Sequence, residues 1–193
     1  LLNLHIPEAY GGAGLGSLEE VLVNEELAWG DPGFATAAYA TALACAPIIT
    51  GATEEQKNIW LRKVTEEGAL ASYAITEPGA GSDVAALKTT AISDGDEYVL
   101  NGSKMWITGA GYADFFFVLA KTDPNAGYRG MSGFIVEKDT PGFTLGKKCQ
   151  QPETRICLCR SRLGNQHCAN QSLRHRFTAH GEVVNGSLRL CAI

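Results

Sequence analysis

The chain has 193 residues, a net charge of −5, 45% hydrophobic residues and 19% charged ones, an ordinary globular balance far from a disordered composition. Its length suffices for one sizeable domain, or a smaller one with helical additions. The charge leaves no basic footprint for nucleic acid, and no apolar run is read as reaching the roughly eighteen residues that cross a bilayer, so no integral membrane segment is expected.

The first residues, Leu1-Leu2-Asn3-Leu4, have neither the basic flank nor the small-residue cleavage site of a signal peptide, and further sequence is expected upstream of them. Ser17-Leu18-Glu19-Glu20 has the spacing of a capping box, in which a hydroxyl and a carboxylate satisfy the unpaired amides at a helix start. Leu18, Val21, Leu22 and the stretch Glu25 to Leu27 continue with mostly helical spacing, and Gly30-Asp31-Pro32 stops the helix. A second helix is expected from Phe34 to Ile49, apolar on all sides and so buried between neighbours. Thr53-Glu54-Glu55-Gln56 is a second capping box, opening a helix through Trp60, Leu61 and Val64 toward Gly68.

After Gly68 the hydrophobic period changes from 3.6 to 2. Leu70 to Thr76, Thr89 to Ile92, Glu97 to Leu100, Ser103 to Thr108, Phe115 to Ala120 and Gly133 to Glu137 read as strands separated by turn residues. Helices followed by strands give an α+β class with an antiparallel sheet. Asn101-Gly102 suits a two-residue type I′ hairpin, which would set Leu100 opposite Ser103, Val99 opposite Lys104 and Tyr98 opposite Met105. Alternation then puts Tyr98, Leu100, Met105 and Ile107 on a core face, and Val99, Lys104, Trp106 and Thr108 on the other. That second face either holds a ligand or lets Trp106 cover a second layer of core.

The chemistry of the chain changes near Lys148. Residues 1–148 hold ten Lys and Arg against nineteen Asp and Glu; residues 149–193 hold six Arg against two Glu, with five of the six cysteines and three of the four histidines. The tail has no sustained period, and we expect it to be aberrant and disordered. Its cysteines Cys149, Cys157, Cys159 and Cys168 are spaced without the close ligand pairs of structural zinc sites, so no metal is expected. Disulfides are equally unsupported, since Cys45 is the body's only cysteine.

Thr76-Glu77-Pro78-Gly79-Ala80-Gly81-Ser82-Asp83 follows a strand. Its glycines let the backbone approach a ligand, and exposed amides with Ser82 suit a phosphate or pyrophosphate. The spacing is neither a Rossmann fingerprint nor a P-loop.

Taken together, Tyr73-Ala-Ile-Thr-Glu-Pro-Gly-Ala-Gly-Ser-Asp83 and Asn101-Gly-Ser-Lys-Met-Trp-Ile-Thr108 resemble the paired signatures of the acyl-CoA dehydrogenase family. Ile6-Pro-Glu-Ala-Tyr-Gly-Gly12, Thr53-Glu-Glu-Gln-Lys57 and Gly133-Phe-Ile-Val-Glu-Lys-Asp-Thr-Pro-Gly142 match further landmarks, so that the resemblance, closest to the short- and medium-chain type, covers residues 1–148. It implies a partial N-terminal helical domain (1–68), a β-barrel-like middle domain with the FAD and acyl-CoA site (69–148), and absence of the C-terminal four-helix domain. It further implies that Tyr73, Ile75, Thr76, Gly81, Ser82, Trp106, Ile107 and Thr108 line the FAD, with Ser82 also near the acyl-CoA and Thr108 near flavin N5.

The implied reaction is α,β-dehydrogenation of a fatty acyl-CoA: a carboxylate takes the α-proton, the β-hydrogen leaves as hydride to the flavin, and hydrogen bonds to the thioester carbonyl acidify the α-carbon. Electrons then pass to an electron-transferring flavoprotein. The full-length family is homotetrameric and works in the mitochondrial matrix or the bacterial cytoplasm. The family's catalytic glutamate belongs to the four-helix domain, and neither Glu153 nor Glu182 sits in a matching context, so no catalytic residue is assigned. Two alternatives stand beside this reading: a non-catalytic truncated product or interaction module, and a flavin oxidase or monooxygenase relative on the same scaffold.

Overall fold

The computed structural model describes residues 3–94, 97–141, 143–149 and 157–159. Three helices come first: α1 (Ser17–Gly30), α2 (Pro32–Gly51) and α3 (Glu54–Glu66). Strands follow: β1 (Ala71–Ala74), β2 (Thr90–Asp94), β3 (Glu97–Asn101), β4 (Ile107–Thr108), β5 (Phe115–Lys121), β6 (Met131–Glu137), β7 (Lys147–Cys149) and β8 (Cys157–Cys159). The helices-then-strands order of an α+β chain is borne out.

The two capping-box sequences behave differently. At Thr53 both reciprocal bonds form: Gln56 donates its amide to the Thr53 hydroxyl, and the Gln56 side chain accepts from the Thr53 amide. At α1 the cap is Gly16, with no side-chain bond, and Ser17 lies inside the first turn. Between α1 and α2, Asp31 ends one helix and caps the next, accepting from the amides of Gly33 and Phe34. Pro32 follows at the first helical position, where its missing N–H costs nothing.

By length and composition, α2 is apolar enough to cross a membrane, which corrects the expectation that no segment is. One face of it packs into the core. Ala44, Cys45 and Ile48 are fully buried against Leu61, Val64, Ala71 and Phe115, and the Thr41 hydroxyl exchanges hydrogen bonds with the Ala71 main chain. The all-round burial expected of α2 is not found, because Phe34 and Leu43 face outward.

The main sheet is built on β5. β1 runs parallel along it from Ala71↔Phe115 to Ala74↔Val118, and β2 touches the same edge at Thr90↔Lys121. The other edge takes β6 in seven antiparallel pairs, and β3 extends the sheet by pairing antiparallel with β2. The sheet is therefore mixed. β5 reads Phe-Phe-Phe-Val-Leu-Ala because both of its faces are covered. Phe115 and Phe117 join the helical core, while Phe116, Val118 and Ala120 join a second core with Ala74, Leu100, Ile107, Phe134 and Val136. Burying each of these phenylalanines is worth about 1.5–3 kcal/mol. One strand thus fastens the helical layer to the β layer.

A second small sheet has the order β4-β8-β7. Cys149 and Cys157–Cys159, from the segment expected to be a disordered tail, are in strands there; the rest of 150–193 lies outside the described residues.

The hairpin expected at Asn101-Gly102 does not form. β3 pairs backward with β2, Thr90↔Asn101 through Asp94↔Glu97, so the two-residue connection falls at 95–96. Gly102 is instead demanded by a close approach: a Cβ there would lie 2.3 Å from Thr89 Oγ1 and 2.7 Å from Thr89 Cβ. Most of the core face survives the wrong register, with Leu100 and Ile107 buried together and Tyr98 packed on them, but Met105 does not join that core.

Candidate functional site

β1 alternates. Tyr73 and Ile75 turn to the helical core, and Tyr73 stacks on Phe117 with ring centroids 5.6 Å apart. Burial raises the Tyr73 phenol above its ordinary value. Ser72 and Ala74 turn the other way. The Ser72 hydroxyl donates to the Thr108 carbonyl at 2.8 Å.

Two more bonds continue that seam: Met105 donates its amide to the Thr76 carbonyl at 2.8 Å, and Lys104 Nζ donates to the Ile75 carbonyl at 3.0 Å. The two segments singled out in the sequence, 73–83 and 101–108, about thirty residues apart in the chain, therefore meet where 72–76 lies beside 104–108. The carbonyls of Ile75, Thr76 and Thr108 are all engaged in this seam. The hydroxyls of Thr76, Ser82 and Thr108 have no hydrogen-bond partner among the described residues.

Beyond Thr76 the chain makes a tight turn, with Glu77 and Ala80 exchanging main-chain hydrogen bonds. Gly81 and Ser82 follow, exposed. Gly79 and Gly81 are not in the left-handed region, and a Cβ on either would meet no protein atom within 4 Å. The fold does not demand glycine at these positions; it leaves bare main chain at the surface.

Trp106 is the one described non-glycine residue with positive φ, at 61°, a conformation costing a bulky L-residue about 1–2 kcal/mol. Such strain persists only where the surroundings over-determine it. The residue is 49% exposed. The expectation that Trp106 shares a strand face with Lys104 is thereby corrected. Only Ile107 and Thr108 are strand, because Trp106 turns outward and Lys104 turns inward. The reading of Trp106 as cover for a second core layer fails for the same reason.

Lys104 turns inward to Glu77. The two side chains are 11% and 6% exposed and meet at 2.8 Å. Glu77 also accepts from the Lys88 amide at 2.6 Å, the Thr89 amide at 3.0 Å and the Thr89 hydroxyl. Burial alone would raise the Glu77 carboxyl, but the bonds from Lys104, Thr89 and Lys88 outweigh it and hold the group below its ordinary value. Burial draws the Lys104 ammonium down, against the pull of Glu77. Sequence reading missed both residues. The signal was a lysine at an alternating strand position beside a large aromatic, with a glutamate before the Gly-rich turn.

Comparison with known proteins follows the same division of the chain. Residues 1–68 match the acyl-CoA dehydrogenase N-terminal domain, and residues 72–155 match the acyl-CoA dehydrogenase middle domain. The chain belongs to the acyl-CoA dehydrogenase family. A Caenorhabditis briggsae protein named "Probable medium-chain specific acyl-CoA dehydrogenase 2, mitochondrial" is 48% identical over 152 residues, 77% of this chain and 37% of the relative. The butyryl-CoA dehydrogenase of Megasphaera elsdenii superposes with a TM-score of 0.74 at 39% identity, over 82% of this chain and 43% of that one. The FAD complex of PigA superposes with a TM-score of 0.76 at 34% identity, over 82% and 42%. The chain spans a little over a third of the length of the curated relatives it matches, 37%.

Proposed function

We propose that this chain carries the flavin-facing portion of an FAD-dependent acyl-CoA dehydrogenase, within a whole protein that oxidises fatty acyl-CoA thioesters between the α- and β-carbons. The observation that carries the reading is the seam of three hydrogen bonds setting 72–76 beside 104–108. The residues present fit FAD. The hydroxyls of Thr76, Ser82 and Thr108 have no partner among the described residues, the main chain at Gly79 and Gly81 is bare, and Trp106 is half exposed.

FAD, when bound, would supply the acceptor for the hydride that leaves the β-carbon. The protein's share is orientation and hydrogen bonding. Ile75 and Thr76 would offer amides and a hydroxyl to the pyrimidine edge, while Thr108 would hold the region near N5 and Trp106 and Ile107 would flank the ring. Gly81 and Ser82 would meet the pyrophosphate, with Ser82 also near the acyl-CoA. Tyr73 enters this assignment as a support behind the strand, since its ring stacks on Phe117.

No described residue is assigned as the base that takes the α-proton. We extend the proposal to a division at Gly68 between the helical and β parts; the tail expected from 149 onward is not kept as a separate unit, because Cys149 and Cys157–Cys159 form a sheet with β4. For the whole protein we propose a homotetramer, electron transfer to an electron-transferring flavoprotein, and residence in the mitochondrial matrix or bacterial cytoplasm.

Equilibrium titration of the purified chain with FAD, followed by flavin fluorescence, tests the assignment. Saturable binding, weakened at least tenfold by the double variant Thr76→Ala/Thr108→Ala, is expected. Binding unaffected by that variant would remove these residues from the site.

A further inference from the structure

We infer that the buried Glu77–Lys104 pair positions Trp106, acting as the clamp that sets the flavin-facing edge; the inference rests on the assignment of that edge to FAD. The pair does more than join two charges. Glu77 gathers donors from Lys88, Thr89 and Lys104. Lys104 bonds the carbonyl of Ile75 as well as Glu77. Four stretches of chain therefore converge on it: the strand end at Ile75, the Gly-rich turn beginning at Glu77, the approach to β2, and the residues just before Trp106.

Both side chains are nearly buried, where a charge left without its partner is strongly unfavourable. The geometry is correspondingly stiff. Between the Lys104 side chain and the β4 pairing at Ile107 there are only two residues, Met105 and Trp106. The Met105 amide is fixed to Thr76, so the turn must be made at Trp106, at φ 61°. Lys104 pointing inward and Trp106 pointing outward are then one feature of the backbone.

Neither Glu77 nor Lys104 is placed against the cofactor. Both act through the main chain of Ile75 and Met105 and are positioning residues. Nothing in this arrangement depends on their exchanging a proton with substrate.

The test is fluorine NMR of the chain labelled with 5-fluorotryptophan, which gives one resonance each for Trp29, Trp60 and Trp106, the three tryptophans of the sequence. Trp60 packs on Phe115 in the helical core and reports folding; Trp106→Phe assigns the third signal. In the FAD-free chain, Lys104→Met and Glu77→Gln are expected to move or broaden the Trp106 resonance while Trp60 stays in place. With added FAD, the parent Trp106 resonance is expected to shift, and Lys104→Met to need at least tenfold more FAD for the same shift.

An unchanged Trp106 resonance in both FAD-free variants would overturn the clamp. Loss of the folded Trp60 signal in both would also overturn it, by making the pair a support of the whole domain. A parent Trp106 resonance that ignores FAD while still responding to Lys104→Met would instead sink the flavin assignment and leave the clamp standing.

Discussion

Gly102 passes so close to Thr89 that a Cβ would stand 2.3 Å from the threonine hydroxyl, the same hydroxyl that donates to Glu77. The main chain after β3 is thus pressed against one of the groups that hold the buried carboxylate. Any side chain at position 102 pushes Thr89 away from Glu77.

Gly102→Ala is therefore expected to destabilise the chain by about 1–3 kcal/mol, the range for overpacking a closed site. Gly79→Ala, whose Cβ would meet nothing, is expected to stay within about 0.5 kcal/mol of the parent, as surface changes do. Urea denaturation midpoints of the two variants check the contrast.

The capping residues offer a second contrast. Thr53→Ala removes a hydroxyl bonded to the Gln56 amide and is expected to cost about 1 kcal/mol. Ser17→Ala, at a sequence with the same spacing but no cap bond, is expected to change stability by a few tenths of a kcal/mol or about that. Thermal or urea unfolding of the two single variants, monitored by circular dichroism, decides it.

Glu77 makes stability depend on pH with a definite sign. Its folded carboxyl is held below the ordinary 4.5, so in mildly acidic solution the unfolded chain takes up this proton more readily than the folded one. The stabilisation is complete above the unfolded value and is lost as pH falls through the folded value. Urea midpoints measured from pH 7 downward should fall more steeply for the parent than for Glu77→Gln. Parallel profiles would contradict the assignment.

Cys45 is fully buried in the helical core, and burial pushes its thiol up to about 12. Without thiolate or access it should not react. Brief alkylation of the native chain at pH 8, followed by peptide mass mapping, is expected to leave Cys45 unmodified, with modification appearing once urea is added.

What could be read in the sequence was whatever depends on local period and composition. The Thr53 cap, the stop at Asp31-Pro32 and the apolar run of β5 follow from rules that act within a few residues. Asn101-Gly102 misled because the same dipeptide answers two demands, a left-handed turn and a close approach. Only the contact with Thr89, thirteen residues away, tells them apart. The parallel seating of β1 on β5 joins residues 71–74 to 115–118 and has no local signature.

The candidate site divided along the same line. The segments at 73–83 and 101–108 were visible as motifs, and Thr76, Ser82 and Thr108 stand with hydroxyls that no described protein group takes. Tyr73 was named among them but turns to the helical core, which strand alternation from Ser72 would have revealed. Glu77 and Lys104 escaped because a glutamate opening a Gly-rich turn and a lysine on a strand face carry no local sign of pairing, and only their burial together shows it.

The most direct test of the central claim is hydrogen–deuterium exchange of the purified chain with and without FAD, resolved by peptide. The two-segment site predicts that FAD slows exchange in peptides covering 75–82 and 104–108 together, with little change in α1. Protection confined to one segment, or appearing on the helices instead, would contradict it.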